Sequence, residues 1–263
     1  MVHGDCLKIL PMLPDRLVDH VITDPPYEAE AHTKNRRLKS TSVDGANWVA
    51  KGGQTVQKEI NFNPMQPDDR AAVGAEIARL VARWSIVFCQ CEGAALWRET
   101  LSALVYKRTC VWVKPDAMPQ LTGDRPGMGY ESFVCHHPEG RSEWNGGGRN
   151  GVFVHQKDVG AGAGIRNDHP TTKPQGLMVE LLGLFTSPGD LVLDPYAGSG
   201  STGIAALRLG RRAILIEKDP KYAALCIERM TAEGAGSTLS AYRNGQLSIL
   251  GDAPPLPPRK ALT

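Results

Sequence analysis

Short apolar runs alternate with stretches in which apolar residues recur every three or four positions, and this alternation organises most of the chain. Val18–Thr23 (VDHVIT) is too short for a helix and stops at Asp24-Pro25-Pro26, which predicts a strand running into a rigid turn. Asp68 and Asp69 mark a helix start, after which Val73, Ile77, Leu80, Val81 and Trp84 fall on one helical face. A strand is predicted at Ser85–Cys89, a helix at Gly93–Tyr106 and a strand at Thr109–Val113. Residues 116–170 interrupt the rhythm with Gly, Pro and Asn, leaving Ser132–Cys135 and Val152–His155 as short strand candidates. Alternation then resumes: helix Pro174–Phe185, strand Leu191–Asp194, helix Ser201–Leu209, strand Ala213–Glu217, helix Pro220–Met230. Strands separated by helical patterns predict an α/β protein with a mostly parallel sheet covered on both faces. The segment after Gly234 ends in Pro254-Pro255-Leu256-Pro257-Pro258 and reads as a flexible tail.

Composition narrows the class without naming a function. The formal net charge of +2 over 263 residues is too small to signal a polyanion partner, so such contacts must come from local basic clusters. No apolar run approaches the roughly 20 residues of a membrane span, and Met1-Val2-His3-Gly4-Asp5 lacks the regions of a secretory signal. The six cysteines show no CxxC pair, and neither Cys89-x-Cys91 nor His136-His137 has a matching ligand cluster. Reduced core thiols, no metal and a cytoplasmic location are the expectation.

Candidate chemistry concentrates in two strand-ending turns. Leu191–Asp194 runs into Pro195-Tyr196-Ala197-Gly198-Ser199-Gly200-Ser201-Thr202-Gly203, in which Gly198, Gly200 and Gly203 satisfy GxGxxG between a strand and a helix. Such glycines let the backbone bend tightly and a ligand approach it closely. Glu217 ends the next predicted strand, where a carboxylate can accept hydrogen bonds from both hydroxyls of a ribose. Asp194 precedes the turn and would repel a pyrophosphate, so a dinucleotide is disfavoured. S-adenosylmethionine carries an ammonium and a sulfonium instead of phosphate, and it suits this turn. The second turn is Asp24-Pro25-Pro26-Tyr27. A carboxylate at Asp24 and the main-chain carbonyl of Pro25 can accept two amine hydrogens, while the prolines hold both acceptors in place. Tyr27 offers a flat face to an extruded base.

With both turns present in this order, the chain resembles the permuted, beta-group DNA amino-methyltransferases of the DPPY type, over about Gly4 to Met230. The resemblance implies a Rossmann-like class I methyltransferase fold with a seven-stranded, mostly parallel sheet. It implies methyl transfer from S-adenosylmethionine to adenine N6 in double-stranded DNA by base flipping. Asp at position 24 favours adenine, because the cytosine-N4 members commonly carry Ser there; cytosine-N4 transfer and a catalytically silent DNA-binding relative stay open. Asp5 is placed near the cofactor's adenine, and Cys6, Thr23 and Asp24 complete the cofactor set on that side. In His169-Pro170-Thr171-Thr172-Lys173-Pro174, Thr172 and Lys173 are implied to reach the methionine carboxylate. Asp194, Pro195, Ala197, Gly198, Ser199, Gly200, Ser201 and Thr202 form the cofactor turn, and Glu217, Lys218 and Asp219 the ribose and adenine edge. Trp112-Val113-Lys114-Pro115, with Arg125-Pro126 and Tyr130-Glu131, resembles the later catalytic-lobe segment that leads to target recognition.

The expected organisation is one methyltransferase domain over residues 1–233, followed by the tail 234–263. Within it lie a catalytic half (1–115), a long loop (28–66), a short recognition region (116–168) and a cofactor half (169–233). The loop carries Lys34, Arg36, Arg37 and Lys39 without an acid among them, and these are candidate phosphate contacts. Trp48, Arg125, Trp144 and Arg149 complete the DNA candidates, although each tryptophan could equally anchor its own loop. A homodimer follows from the short recognition segment and the resemblance, and a restriction endonuclease partner is left open.

Overall fold

The computed structural model describes residues 1–27, 64–117, 123–124, 126–158 and 172–245. The elements are β1 (Val2–His3), α1 (Cys6–Ile9), a 3-10 turn (Leu10–Met12), β2 (His20–Thr23), α2 (Pro67–Leu80) and β3 (Ser85–Cys89). There follow α3 (Ala94–Thr100), β4 (Val105–Val113), β5 (Tyr130–His137), β6 (Val152–Val154) and α4 (Gln175–Phe185). The cofactor half continues with β7 (Leu191–Asp194), α5 (Ser201–Arg208), β8 (Arg212–Glu217), α6 (Pro220–Gly234) and α7 (Leu239–Arg243).

One sheet in the order β1-β8-β7-β2-β3-β5-β4-β6 joins them. Only β5 runs against its neighbours, β3 and β4; every other pairing is parallel. The sheet has eight strands where seven were expected, and its two edge strands are only two and three residues long. The strands β2 and β3 are buried at every position, as strands covered on both faces must be. One layer of core holds Leu10, Val73, Ile77, Leu80, Trp97 and Leu101, and the other holds Ile86, Phe88, Phe133, Phe153, Leu177 and Leu181. The order reverses around β2 and β7, which lie side by side in register His20↔Val192 and Val21↔Leu193. Open α/β sheets place their ligand crevice at the carboxyl ends of strands around such a point.

Some boundaries differ from the sequence expectation. The helix predicted over Gly93–Tyr106 stops at Thr100, and Val105 and Tyr106 already belong to β4. Their apolar character suits a strand equally well, and pairing with His137 and His136 of β5 decides the matter. Val81 and Trp84 are buried as expected but lie beyond α2; Val81 instead bridges Val18. Within the tail, Thr238 caps the short helix α7, and Arg243 pairs with Glu228 of α6, so this part is ordered. The rest of the tail, residues 246–263, lies outside the described residues.

Candidate active site

The turns after β2 and β7 open into one cavity of about 700 Å3, a size suited to a cofactor plus part of a substrate. Asp5, Cys6, Thr23, Asp24, Pro25, Pro26, Tyr27, Thr172 and Lys173 line it. So do Asp194, Pro195, Ala197, Gly198, Ser199, Ser201, Thr202, Glu217, Lys218 and Asp219. The tertiary fold thus gathers every candidate cofactor residue except Gly200. Gly200 shapes the wall from behind: its φ is +86°, and a Cβ there would sit 2.6 Å from Cys226 Sγ. A Cβ on Gly203 would sit 2.5 Å from Leu215, so this glycine admits α5 to the sheet. Gly198, with φ of 51°, turns its N–H onto Glu217, whose Oε2 accepts it at 2.8 Å. Glu217 Oε1 accepts from Asp219 N at 2.7 Å, which leaves each carboxylate oxygen a further lone pair facing the cavity. Asp5 caps α1 and pairs with Lys218 at 2.8 Å, and this partnership lowers its pKa.

Asp194 does not stand free beside the turn. Its Oδ1 accepts from Thr23 Oγ1 at 2.7 Å and from Tyr196 N at 3.1 Å, and its Oδ2 accepts from Thr202 Oγ1 at 2.6 Å. The carboxylate therefore braces both turns against each other. Burial raises its pKa to about 6, because the hydroxyls offset only part of the lost hydration.

Lys173 departs furthest from expectation. Its ammonium does not reach toward the glycine turn; it lies 2.5 Å from Asp24 Oδ2, 3.1 Å from Glu131 Oε2 and 3.3 Å from the Tyr27 hydroxyl. Thr172 alone stays with the cofactor turn, its Oγ1 3.3 Å from Ser199 Oγ. The Tyr27 hydroxyl donates to Glu131 Oε2 at 2.8 Å, and Lys114 holds Glu131 Oε1. Among the described residues Asp24 Oδ1, itself a buried atom, has no partner, and Ser201 Oγ shares that state. Burial raises the Asp24 carboxyl, with Lys173 opposing it. Burial works against the Lys173 ammonium as well, yet Asp24 and Glu131 keep it above its ordinary pKa. Glu131 would be raised by burial, but Lys173 and Lys114 bring it down to about 2.

Glu131 belongs to β5, an interior strand of the sheet, although the sequence assigns Tyr130–His137 to the recognition region. The sequence marks Tyr130-Glu131 only through the resemblance, and it assigns no site role to Met65, Asp69, Tyr196 or Tyr222 of the cavity lining. The DNA candidates fare differently. Trp144 packs edge-on against Phe185 at 4.7 Å and donates to Gly147 O at 2.9 Å, so it anchors its own loop. Arg149 pairs with Glu180 and lies 5.2 Å above the Phe153 ring, outside the cavity wall. Lys34, Arg36, Arg37, Lys39, Trp48 and Arg125 lie outside the described residues. Among the described residues no group of His, Cys, Asp and Glu could hold a metal ion, and no helix is long and apolar enough to cross a membrane.

Fold and cavity together define a Rossmann-like α/β protein of the methyltransferase type. A DNA methylase family model of the N6/N4 methyltransferases matches residues 18–228, and the chain belongs to that family. The type II methyltransferase M2.DpnII of Streptococcus pneumoniae is 25% identical over 263 residues, covering 89% of this chain and 90% of its own. The crystal structure of the M1.HpyAVI–SAM complex superposes with a TM-score of 0.61 at 23% identity, covering 87% of this chain and 97% of that one. PvuII DNA methyltransferase, titled cytosine-N4-specific, reaches the same TM-score at 16% identity, with 92% of each chain covered.

Proposed function

We propose that the protein transfers a methyl group from S-adenosylmethionine to adenine N6 in double-stranded DNA. The observation that carries this reading is Asp24 Oδ1, a buried carboxylate oxygen without a partner, in the cavity that also holds the glycine turn. The residues present fit the cofactor: Glu217 has lone pairs for ribose hydroxyls, and Ser201 Oγ is an orphaned buried hydroxyl beside the turn. S-adenosylmethionine, when bound, supplies an electrophilic methyl on a sulfonium.

The chain's own residues supply positioning. Adenine N6 is a poor nucleophile because its lone pair is delocalised into the ring. Asp24 Oδ1 and the carbonyl of Pro25 accept its two hydrogens, draw the nitrogen toward tetrahedral geometry and aim its lone pair. Pro26 offers no competing N–H. Tyr27 receives the extruded base on its ring, with its hydroxyl tied to Glu131. Asp194 keeps the two turns at a constant separation. Lys34, Arg36, Arg37 and Lys39 follow the DPPY turn directly in the chain, and their charge suits phosphate contact. A second copy of the chain would enlarge the DNA footprint.

Cytosine-N4 transfer is the second reading, because the same acceptor pair suits any exocyclic amine and a cytosine-N4-specific enzyme shares the fold. Incubating the protein with unmethylated DNA and S-adenosylmethionine, then analysing the nucleosides by mass spectrometry, tests both readings. N6-methyladenine is expected. N4-methylcytosine would replace the first reading with the second, and no methylated base would overturn both.

A further inference from the structure

Lys173, Asp24, Glu131 and Lys114 converge from four separate parts of the chain. Asp24 follows β2, Glu131 lies in β5, Lys114 follows β4, and Lys173 precedes α4. Two carboxylates face two ammoniums, so the cluster is neutral as a set. Both oxygens of Glu131 are engaged: Lys114 takes one, and Tyr27 and Lys173 share the other. Asp24 is half-saturated, with Oδ2 on Lys173 and Oδ1 unpartnered.

We propose that Lys173, backed by Glu131 and Lys114, is a positioning residue: it keeps Asp24 ionised and leaves only Oδ1 free to accept the amine. The inference rests on the methyltransferase reading above. Its physical basis is the cost of an isolated buried carboxylate, which takes up a proton and becomes a donor as well as an acceptor. A carboxylic acid in that place would offer a proton to an amine that needs an acceptor. Lys173 prevents this by supplying a counter-charge that cannot drift away. Its ammonium sits 5.0 Å from the Phe88 ring centroid, 5.4 Å from that of Tyr27 and 6.0 Å from that of Trp112. Its side chain is only 8% exposed, and Pro174 follows it in the chain. Glu131 acts at one remove, fixing Lys173 and the Tyr27 hydroxyl from the same oxygen. With no free oxygen, Glu131 is not itself poised to exchange protons with a substrate. Asp194 from β7, Cys89 from β3 and Lys157 are the further charged or titratable groups that bear on this cluster.

The test uses the full chain with unmethylated genomic DNA and methyl-labelled S-adenosylmethionine, measuring kcat across a pH series and cofactor affinity by calorimetry. Lys173→Met should lower kcat by about 100-fold or more, the scale of losing a preorganised electrostatic contact, with cofactor Kd changed less than about threefold. The acid limb of its kcat profile should move up by about one pH unit, since Asp24 loses its cation. Glu131→Gln removes a carboxylate whose charge raises Asp24, so its limb should move down, by less than Lys173→Met moves it up, and Lys173→Arg should recover most of kcat and the original limb. An unmoved acid limb in Lys173→Met would overturn the proposal, because a purely structural role predicts loss without that shift. If circular dichroism shows Lys173→Met unfolded, Lys173→Gln decides the question by the same upward shift, and an unmoved limb there overturns the proposal. A wild-type protein that binds the cofactor yet transfers nothing to DNA would overturn the functional reading instead.

Discussion

Two aspartates end two neighbouring parallel strands, Asp194 buried and Asp24 only partly, and they are treated in opposite ways. Asp194, at the end of β7, has each oxygen accepting from a threonine hydroxyl and faces no cation. Asp24, just past β2, has one oxygen on an ammonium and the other without a partner. Hydroxyls satisfy a carboxylate's lone pairs but offset only part of the cost of burying its charge, and the Asp194 pKa is raised to about 6. A cation offsets the charge while occupying few lone pairs, so Asp24 stays available to a ligand. The difference teaches that the partners of its two oxygens separate a bracing carboxylate from one open to a ligand.

The comparison breaks most visibly at Asp24. Asp24→Ala should reduce methyl transfer to the detection limit while leaving cofactor affinity within a few-fold, because the contact is made in the transition state. Rates from labelled cofactor and Kd from calorimetry would check both halves, and near-normal activity would remove Asp24 from the mechanism. Next in size is the stability of the cluster itself. Lys173→Met leaves Asp24 and Glu131 buried with one cation between them and should cost about 3–5 kcal/mol in urea unfolding.

Asp194 provides the contrasting case. Its folded pKa of about 6 lies above the ordinary 3.8, so the folded state binds this proton more tightly than the unfolded chain does. Its contribution is therefore fully present below the ordinary value and is lost as pH rises through about 6, amounting to about 3 kcal/mol. Asp194→Asn should remove that decline; unfolding free energies measured on either side of this window would show a flatter profile than wild type. A profile as steep as wild type would assign the decline to another group. The smallest effect is expected at Glu217. Glu217→Ala should weaken cofactor binding by about 1–3 kcal/mol, the scale of hydrogen bonds to a charged group, and calorimetry would read it directly.

Local signals carried much of this molecule. A short, largely apolar strand followed by Asp-Pro-Pro-Tyr or by a glycine turn is a short-range pattern, and both turns are where the pattern puts them. The glycines at 198 and 200 adopt the left-handed backbone that such a turn demands of them. The alternation of strands and helices was sufficient for the sheet to be read as mostly parallel, because parallel neighbours need a crossover between them. What failed locally failed where apolar residues serve two purposes: Val105 and Tyr106 extend the helical run of α3 on paper, yet they pair with β5.

Partnership, by contrast, was decided by the tertiary structure alone. Lys173 reads in the sequence as a cofactor residue next to Thr172, and its ammonium finds Asp24, 149 positions away. Glu131 sits in a stretch that looks like recognition loop until β5 inserts between β3 and β4. Trp144, equally fit for stacking on a base or for anchoring a loop, is claimed by Phe185. The reason is physical: a residue's type and its neighbours in the chain set which bonds it can make, whereas the cost of burying charge is settled only by what the fold brings within about 3 Å of it. The sequence by itself determined the two turns and the chemistry each can support. Which aspartate would be saturated and which left open was decided by the packing of β2, β5 and β7 with the segment before α4.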